Sequence, residues 1–176
     1  MKIRYLIPAV PIAVVAPVSA TTYLSLSQAQ ALMFPDSRLT PVVVKLSDAQ
    51  VEAIEKQSDT TVYSRKLKLW HASGGGWFLV DQALGKHEFI TYAVALDEDG
   101  HLRDIEVMDY RESYGSEIRN PAWRAQFKGM GPDDRPRLGK PIHNISGATL
   151  SCKHVTASIR RLLATYREVI AHVHPD

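Results

Sequence analysis

The chain has 176 residues, which suffice for one domain with a hydrophobic core and are too few for two domains of ordinary size. A hydrophobic content of 45% excludes a wholly disordered protein. Lys2 and Arg4 account for the whole formal net charge of +2. The rest of the chain therefore has no electrostatic signature of a nucleic-acid partner or of binding to anionic lipid.

The first twenty residues have the pattern of a cleaved signal peptide. Lys2 and Arg4 precede an almost wholly apolar run from Tyr5 to Val18, and Val18-Ser19-Ala20 supplies the small residues that a signal peptidase requires. The run is shorter than the roughly 20 residues that span a bilayer, and it contains three prolines; a retained membrane anchor is the alternative. We therefore expect a mature chain that is periplasmic or otherwise extracytoplasmic.

Helices are predicted near the start of the mature chain and strands in its middle. The helices are expected at Ser27–Phe34 and at Ser47–Gln57, where Ser47 and Gln50 form a capping box. Four segments have the apolar or alternating pattern of strands: Thr61–Trp70, Trp77–Val80, Phe89–Leu96 and Leu102–Met108. The last two flank Asp97-Glu98-Asp99-Gly100, which predicts a hairpin turn with its glycine in the left-handed conformation.

The C-terminal part of the chain changes to helix and loop. Asn120 and Pro121 predict the cap and first turn of a short helix that runs through Phe127, and residues 129–141 are predicted as loop. The last helix is predicted from about Ser151 to Val173. Its apolar positions are expected to face the sheet: Val155, Ile159, Leu162, Tyr166, Val169 and Val173. Four charged residues are expected largely on its other faces: Arg160, Arg161, Arg167 and Glu168.

The order of these elements indicates the fold class. Consecutive strands joined by hairpins form an antiparallel sheet, and helices before and after them pack on it. We predict a single α+β domain over residues 21–176, with an antiparallel sheet of about four strands, N-terminal helices and a long C-terminal helix packed on the sheet.

Ser146-Gly147-Ala148-Thr149 lies where the loop enters the last helix, a place that suits a phosphate group. The first N–H groups of a helix lack partners, and the helix dipole favours an anion there. Gly147 and Ala148 are small enough to let a phosphate approach the backbone, and Thr149 offers a hydroxyl group, with Lys153 one turn further on. The alternative is a plain helix cap, which Ser and Thr supply in many proteins.

Ser146-Gly147-Ala148-Thr149-Leu150-Ser151 resembles the attachment motif of the FMN-binding domain family, which includes the flavin subunits of sodium-pumping and Rnf-type electron transport complexes. A second block lies upstream, in the order that the family has. Its residues resemble the family's Glu-Thr-x-Gly stretch and the Trp and Phe-x-Gly positions that follow: Glu112-Ser113-Tyr114-Gly115, Ile118, Trp123, Phe127 and Gly129. The resemblance covers about residues 75–170.

The resemblance implies FMN as the cofactor and indicates how it is attached. In the family, a separate FAD-dependent protein flavin transferase joins FMN through a phosphoester to the last threonine of the motif, which is Thr149 here. Ser151 matches a second hydroxyl position and is expected to be the poorer acceptor. His143 stands where the family has an aspartate that the transferase reads, so the resemblance supports flavin binding more firmly than covalent attachment.

The flavin ring needs a flat apolar wall and polar groups at its edge. The candidates for the wall are Tyr110, Tyr114 and Trp123, with core packing as the stronger interpretation for Trp123. Glu112, beside Gly115, is expected either to accept hydrogen bonds from the ring or the ribityl hydroxyl groups, or to be an exposed loop carboxylate. Lys86-His87-Glu88 is either a polar rim of the flavin pocket or the entrance to a strand.

The function that the resemblance implies is electron transfer through FMN. The expected redox partner is membrane-bound, such as a cytochrome or a transmembrane flavoprotein. The chain has no Gly-rich dinucleotide loop, which argues against direct oxidation of NAD(P)H. The alternatives are a non-redox periplasmic module that binds a ligand or a protein, and a flavin-dependent reductase.

We expect the exported protein to begin at Thr21, because a signal peptidase cleaves after small residues such as Ala20. N-terminal sequencing of protein recovered from the periplasm of an exporting host checks this cleavage site. A membrane-bound product that retained Met1 would contradict it.

Overall fold

The structure, a computed structural model, describes residues 21–175, and the expected signal peptide lies outside the described residues. Its centre is a six-stranded sheet with the strand order β1-β6-β5-β4-β3-β2, in which every pair is antiparallel. The strands are β1 (Thr21–Thr22), β2 (Leu39–Val42), β3 (Lys68–Ala72), β4 (Trp77–Leu84), β5 (Phe89–Leu96) and β6 (Leu102–Tyr110). Strands β3 to β6 are the four predicted ones, and β1 and β2 add short edges.

Four α-helices accompany the sheet in the described residues, and the fold is α+β as predicted. They are α1 (Leu26–Met33), α2 (Asp48–Ser58), α3 (Pro121–Arg124) and α4 (Thr149–Glu168). Capping boxes start the first two, with Ser25 and Gln28 at α1 and Ser47 and Gln50 at α2. Within residues 21–175, no helix combines the length and the apolar character needed to cross a membrane.

Helix α4 packs on one face of the sheet and α1 on the other. The core on the α4 side joins Val155, Ile159, Leu162 and Tyr166 of the helix to Leu79, Ile90, Val94, Ile105 and Val107 of the strands. On the opposite face, Met33 and Phe34 pack on Phe78. Each fully buried side chain of this kind contributes about 1.5–3 kcal/mol, so the larger α4 interface holds this helix firmly across the sheet.

The predicted turn between β5 and β6 is confirmed. Asp97 Oδ1 accepts hydrogen bonds from the backbone N–H groups of Asp99 (3.0 Å) and His101 (2.7 Å), and Gly100 has a φ of +82°. Tyr166 of α4 donates its hydroxyl hydrogen to the carbonyl oxygen of Glu98 in this turn. The hairpin is therefore tied to the C-terminal half of α4.

The predicted strand Thr61–Trp70 is only partly correct. Residues 61–64 belong to no strand. Residues 65–67 pair with the segment before α2, where Leu67 N–H donates to the Val44 carbonyl oxygen (3.1 Å), and β3 begins only at Lys68. The alternation of this stretch is that of a strand, but a local pattern does not specify which partner the strand takes. The segment predicted as loop, 129–141, contains β7 (Arg137–Leu138), which pairs in parallel with β8 (Pro141–Ile142).

Arg160 and Arg161, expected largely on faces of the last helix that do not face the sheet, are both buried, because other segments of the chain cover them. Arg160 donates to the carbonyl oxygen of Pro136 (2.9 Å). Arg161 donates to the carbonyl oxygen of Thr61 (2.7 Å) and to Asp81 Oδ2 (2.8 Å). Both guanidinium groups donate hydrogen bonds to backbone carbonyl oxygens of segments that cross α4. Because these donors have partners and the stem of an arginine is apolar, the charged side chains can be buried.

We expect Asp81→Asn to lower the free energy of unfolding by about 2 kcal/mol, because it leaves the buried Arg161 guanidinium without its counter-charge. Urea denaturation of the two proteins measures the difference. Asp133→Asn is the control, since Asp133 pairs with Arg167 at the surface and such pairs contribute less than about 1 kcal/mol. Equal losses in both variants would contradict a special role for the buried pair.

Candidate functional site

A cleft of about 380 Å³ opens at the N-terminus of α4, within the roughly 300–1,000 Å³ of typical ligand sites. Its walls come from the β4–β5 turn, the segment after β6 and the start of α4. The lining residues are Lys86, His87, Glu112, Ser113, Tyr114, Gly147, Ala148, Thr149, Leu150 and Ser151. The two sequence blocks, which lie far apart along the chain, therefore meet in one cleft.

Helix α4 begins at Thr149 without a side-chain cap. Ala148 is the N-cap residue, and no side chain accepts a hydrogen bond from the first turn. The first backbone bond of the helix joins Cys152 N–H to the Ala148 carbonyl oxygen (2.9 Å). No acceptor within residues 21–175 bonds to the N–H groups of Thr149, Leu150 and Ser151. The alternative of a plain Ser or Thr cap is therefore wrong, and three donors at the positive end of a helix border the cleft.

The turn before α4 depends on Gly147. Its φ is +85°, a conformation that residues with a Cβ atom rarely adopt. The backbone conformation therefore favours glycine at this position. An added Cβ would meet no heavy atom within 4 Å, so the space beside Gly147 is open to a ligand. The Ala148 N–H donates to the Ile145 carbonyl oxygen (3.0 Å) and closes this turn.

Thr149 is exposed, and its hydroxyl oxygen accepts one hydrogen bond, from Asn144 Nδ2 at 2.9 Å. The backbone beside Asn144 is anchored. His143 N–H donates to Gln126 Oε1 (2.7 Å), and the His143 carbonyl oxygen accepts from Trp123 Nε1 (2.8 Å). Sequence reasoning missed Asn144, because the spacing alone does not show that a loop side chain turns back onto the start of the helix.

Tyr110 joins the end of β6 to the first turn of α4. Its hydroxyl group donates to the Tyr114 carbonyl oxygen, and burial raises the pKa of Tyr110, so this donor stays protonated at neutral pH. A tyrosine hydroxyl has one hydrogen, so the 2.8 Å contact between Tyr110 Oη and Ser151 Oγ requires the serine to donate. Glycine at position 115 permits this contact, because a Cβ atom there would lie 2.4 Å from Ser151 Oγ.

Glu112 holds the β4–β5 turn against the end of β6. Glu112 Oε1 accepts hydrogen bonds from the N–H groups of His87 (2.5 Å) and Glu88 (3.0 Å). Partial burial acts to raise the pKa of Glu112, but the N–H groups of Glu88, His87 and Lys86 outweigh it and hold the pKa below its ordinary value. The carboxylate therefore positions the turn, and Lys86 and His87 form one wall of the cleft.

The three aromatic candidates occupy different environments. Trp123 is buried, donates its Nε1 hydrogen to the backbone and packs edge-to-face on Phe127, which confirms core packing. Tyr110 is buried in the core with its hydroxyl group in the contacts described above. Tyr114 alone among the three lines the cleft, and its side chain is 86% exposed.

The remaining predicted residues lie near the cleft without lining it. Ser146 and Lys153 are exposed on either side of the α4 start. Gly115 is buried behind it. His143 is exposed, and its backbone rather than its imidazole makes the contacts with Gln126 and Trp123.

The lining combines two kinds of surface. Unpartnered N–H groups at a helix N-terminus suit an anionic group such as a phosphate, whereas the exposed side chains of Tyr114 and Leu150 suit a flat apolar body. No cluster of three or more His, Cys, Asp or Glu side chains able to hold a metal ion occurs in the part of the chain that the structure describes. The arrangement thus fits an organic ligand that has an anionic end and an apolar end.

Residues 85–164 match the model of the FMN-binding domain family. The matched segment lies within the residues 75–170 that the sequence resemblance indicates, and it contains every residue that lines the cleft. No curated protein matches the chain.

We expect Glu112→Gln to destabilise the protein by about 1 kcal/mol at pH 7, because a neutral amide oxygen accepts hydrogen bonds less strongly than a carboxylate. A carboxyl group whose pKa is lowered by folding stabilises the fold above its ordinary pKa of 4.5. That contribution is lost as the pH falls through the lower folded-state value. The difference in Tm between the two proteins should therefore shrink in acid.

Thermal unfolding of both proteins between pH 3 and pH 7 measures this dependence, at pH values chosen around the ordinary pKa of a glutamate. Glu117→Gln is the control, because its exposed side chain makes no hydrogen bond within the described residues. A Tm difference for Glu112→Gln that did not change with pH would show that the charge of Glu112 does not stabilise the turn.

Proposed function

Because residues 85–164 belong to the FMN-binding domain family, we propose that the chain is an exported flavoprotein that carries electrons through FMN held at the start of α4. The observation that supports this most strongly is that the matched segment contains the whole lining of the cleft. The uncapped helix N-terminus in that lining supplies donors that suit the phosphate of FMN.

We assign the phosphate end of FMN to the first turn of α4. The N–H groups of Thr149, Leu150 and Ser151 are the donors, and Gly147 and Ala148 keep side-chain atoms away from them. Ser146 and Lys153 add a hydroxyl group and a positive charge beside this turn. The flavin ring is assigned to the apolar part of the lining around Tyr114, facing the turn that Glu112 holds.

We further propose that FMN is attached covalently through a phosphoester to Thr149. The Thr149 hydroxyl group is exposed, and within residues 21–175 nothing accepts its hydrogen. Ser151, by contrast, is buried and donates its hydroxyl hydrogen to Tyr110. The bond would be made by an FAD-dependent flavin transferase. This enzyme would meet His143 where the family motif has an aspartate. Gly115 leaves room for the contact between Tyr110 and Ser151 behind the acceptor turn.

The bound FMN would supply transfer of one or two electrons, and the protein would hold the flavin and exclude water from part of it. The sequence lacks the Gly-rich loop of dinucleotide-binding proteins, so we propose a protein as the redox partner, bound to the membrane and meeting this domain outside the cytoplasm. The pattern of residues 1–20 supports this location.

We expect Thr149→Val to abolish acid-stable flavin, because valine has the shape of threonine and lacks the oxygen that forms the ester. The fold should survive, at a cost of less than about 1 kcal/mol, since Thr149 caps nothing. Intact-mass measurement after co-expression with a flavin transferase in an exporting host reads the mass of attached FMN directly.

Thr40→Val is the matched control, because it makes the same substitution at an exposed threonine of β2 that does not line the cleft. We expect it to retain the flavin. Fragmentation of the modified peptide that located FMN on Ser146 or Ser151 would show that Thr149 is the wrong acceptor. A wild-type protein that held no flavin after co-expression would argue against covalent attachment altogether.

A further inference from the structure

We propose that Asn144 is the positioning residue for flavin attachment and holds the Thr149 hydroxyl group ready to react. The inference rests on the proposed covalent attachment to Thr149. It starts from the hydrogen bond of 2.9 Å between Asn144 Nδ2 and Thr149 Oγ1. Asn144 would act on the acceptor residue and not on the flavin itself.

The direction of this hydrogen bond determines whether the hydroxyl hydrogen of Thr149 is available. The amide N–H of Asn144 donates, so Thr149 Oγ1 accepts and its own hydrogen is not used. A base of the transferase can therefore take that hydrogen. At Ser151 the opposite holds, because the serine hydrogen is donated to Tyr110 in a buried contact. The hydroxyl groups of Thr149 and Ser151 thus differ in the availability of the proton that attachment must remove.

The amide is held at a fixed place relative to α4. On one side of Asn144, both backbone groups of His143 are bonded, to Gln126 and to Trp123. On the other side, the Ile145 carbonyl oxygen accepts from Ala148 N–H at 3.0 Å. Correct placement of a nucleophile lowers the barrier of its reaction, so an anchored amide that orients Oγ1 should increase the rate of attachment.

The attachment step balances with FAD as the co-substrate. Thr149 Oγ1 forms a bond to the phosphorus of the FMN half of FAD, and the pyrophosphate P–O bond to the AMP half breaks. AMP leaves with the electron pair of that bond, and the threonine hydrogen passes as a proton to a base. Asn144 neither gains nor loses a proton, which is consistent with a positioning role.

This assignment also bears on His143, which replaces the aspartate of the family motif. The imidazole of His143 is exposed and does not line the cleft, whereas the side chain of Asn144 contacts Thr149 Oγ1. In this chain, the residue that prepares Thr149 is therefore Asn144, and His143 contributes through its anchored backbone.

The test is the rate of flavin attachment in purified Asn144→Ala and wild-type chains, followed by intact mass with transferase and FAD. We expect the maximal rate to fall about three- to tenfold, as for loss of one orienting hydrogen bond. The chain concentration that gives half the maximal rate should not change. Non-covalent binding of added FMN, measured by flavin fluorescence, and the Tm should also not change.

Gln82→Ala is the matched control, because Gln82 Nε2 makes the same kind of exposed contact, to Thr91 Oγ1 at 3.2 Å, away from the cleft. It should be modified at the wild-type rate. A second comparison uses Thr149→Ser, whose side chain lacks the methyl group that restricts χ1. Asn144→Ala should slow attachment more in that background than in wild type, a coupling that general destabilisation would not produce.

The outcomes separate this inference from the proposed function. If wild type and Asn144→Ala are modified at equal rates, Thr149 remains the acceptor and the role of Asn144 is refuted. If Asn144→Ala lowers the Tm and the FMN affinity together with the rate, Asn144 supports the loop and does not position the acceptor. If wild type acquires no acid-stable flavin, covalent attachment fails and this inference fails with it.

Discussion

The contact between Tyr110 and Ser151 determines the arrangement of the site. It joins the last residue of β6 to the first turn of α4, the helix that packs on one face of the sheet. Tyr110 also donates to the Tyr114 carbonyl oxygen, which fixes the segment that leaves β6. Because there is no space for a Cβ atom on Gly115 at this point, two walls of the cleft, the segment after β6 and the start of α4, are held by a contact that a single methyl group would disrupt.

The start of α4 is less stable than it could be. A Ser, Thr, Asp or Asn at the N-cap position would stabilise a helix by about 0.5–2 kcal/mol relative to alanine, and α1, α2 and α3 all have such a cap. Only α4 among these four helices begins with Ala148 and an uncapped first turn. The loss is offset by the buried face of α4 further along. Unpartnered donors at α4, the one helix of α1 to α4 without a cap, are consistent with a ligand that completes the turn.

The sequence predicted the elements whose cause is local. The β5–β6 turn follows from Asp97 and Gly100, and the start of α3 from Asn120 with Pro121, since each signal acts within four residues. The family resemblance assigns both motif blocks to one flavin site, and six of the residues named for it line the same cleft: Glu112, Tyr114, Gly147, Ala148, Thr149 and Ser151.

The features that the sequence did not predict depend on contacts between distant segments. The helical pattern does not indicate that Arg161 is buried. The carbonyl oxygen of Thr61 and the carboxylate of Asp81 come from other parts of the chain and make its burial favourable. Glu112 was interpreted either as a ligand group or as a free carboxylate. Its partners are backbone N–H groups of the β4–β5 turn, which no residue pattern near Glu112 indicates. Any residue can supply the backbone group of such a hydrogen bond, so the sequence does not indicate which distant segment supplies it.

The shape of the cleft bears on why the proposed attachment would be covalent. At about 380 Å³ the cleft lies near the lower end of the range for small-molecule sites, and the side chain of Tyr114 in its wall is 86% exposed. A site with exposed walls buries little apolar ligand surface, which limits the hydrophobic contribution to non-covalent affinity. The same exposure leaves a flavin accessible to a partner protein, which electron transfer by contact requires. The proposed phosphoester to Thr149 would remove this conflict, because the bond would retain the flavin whatever fraction of it stays exposed, and the walls would then need only to orient it.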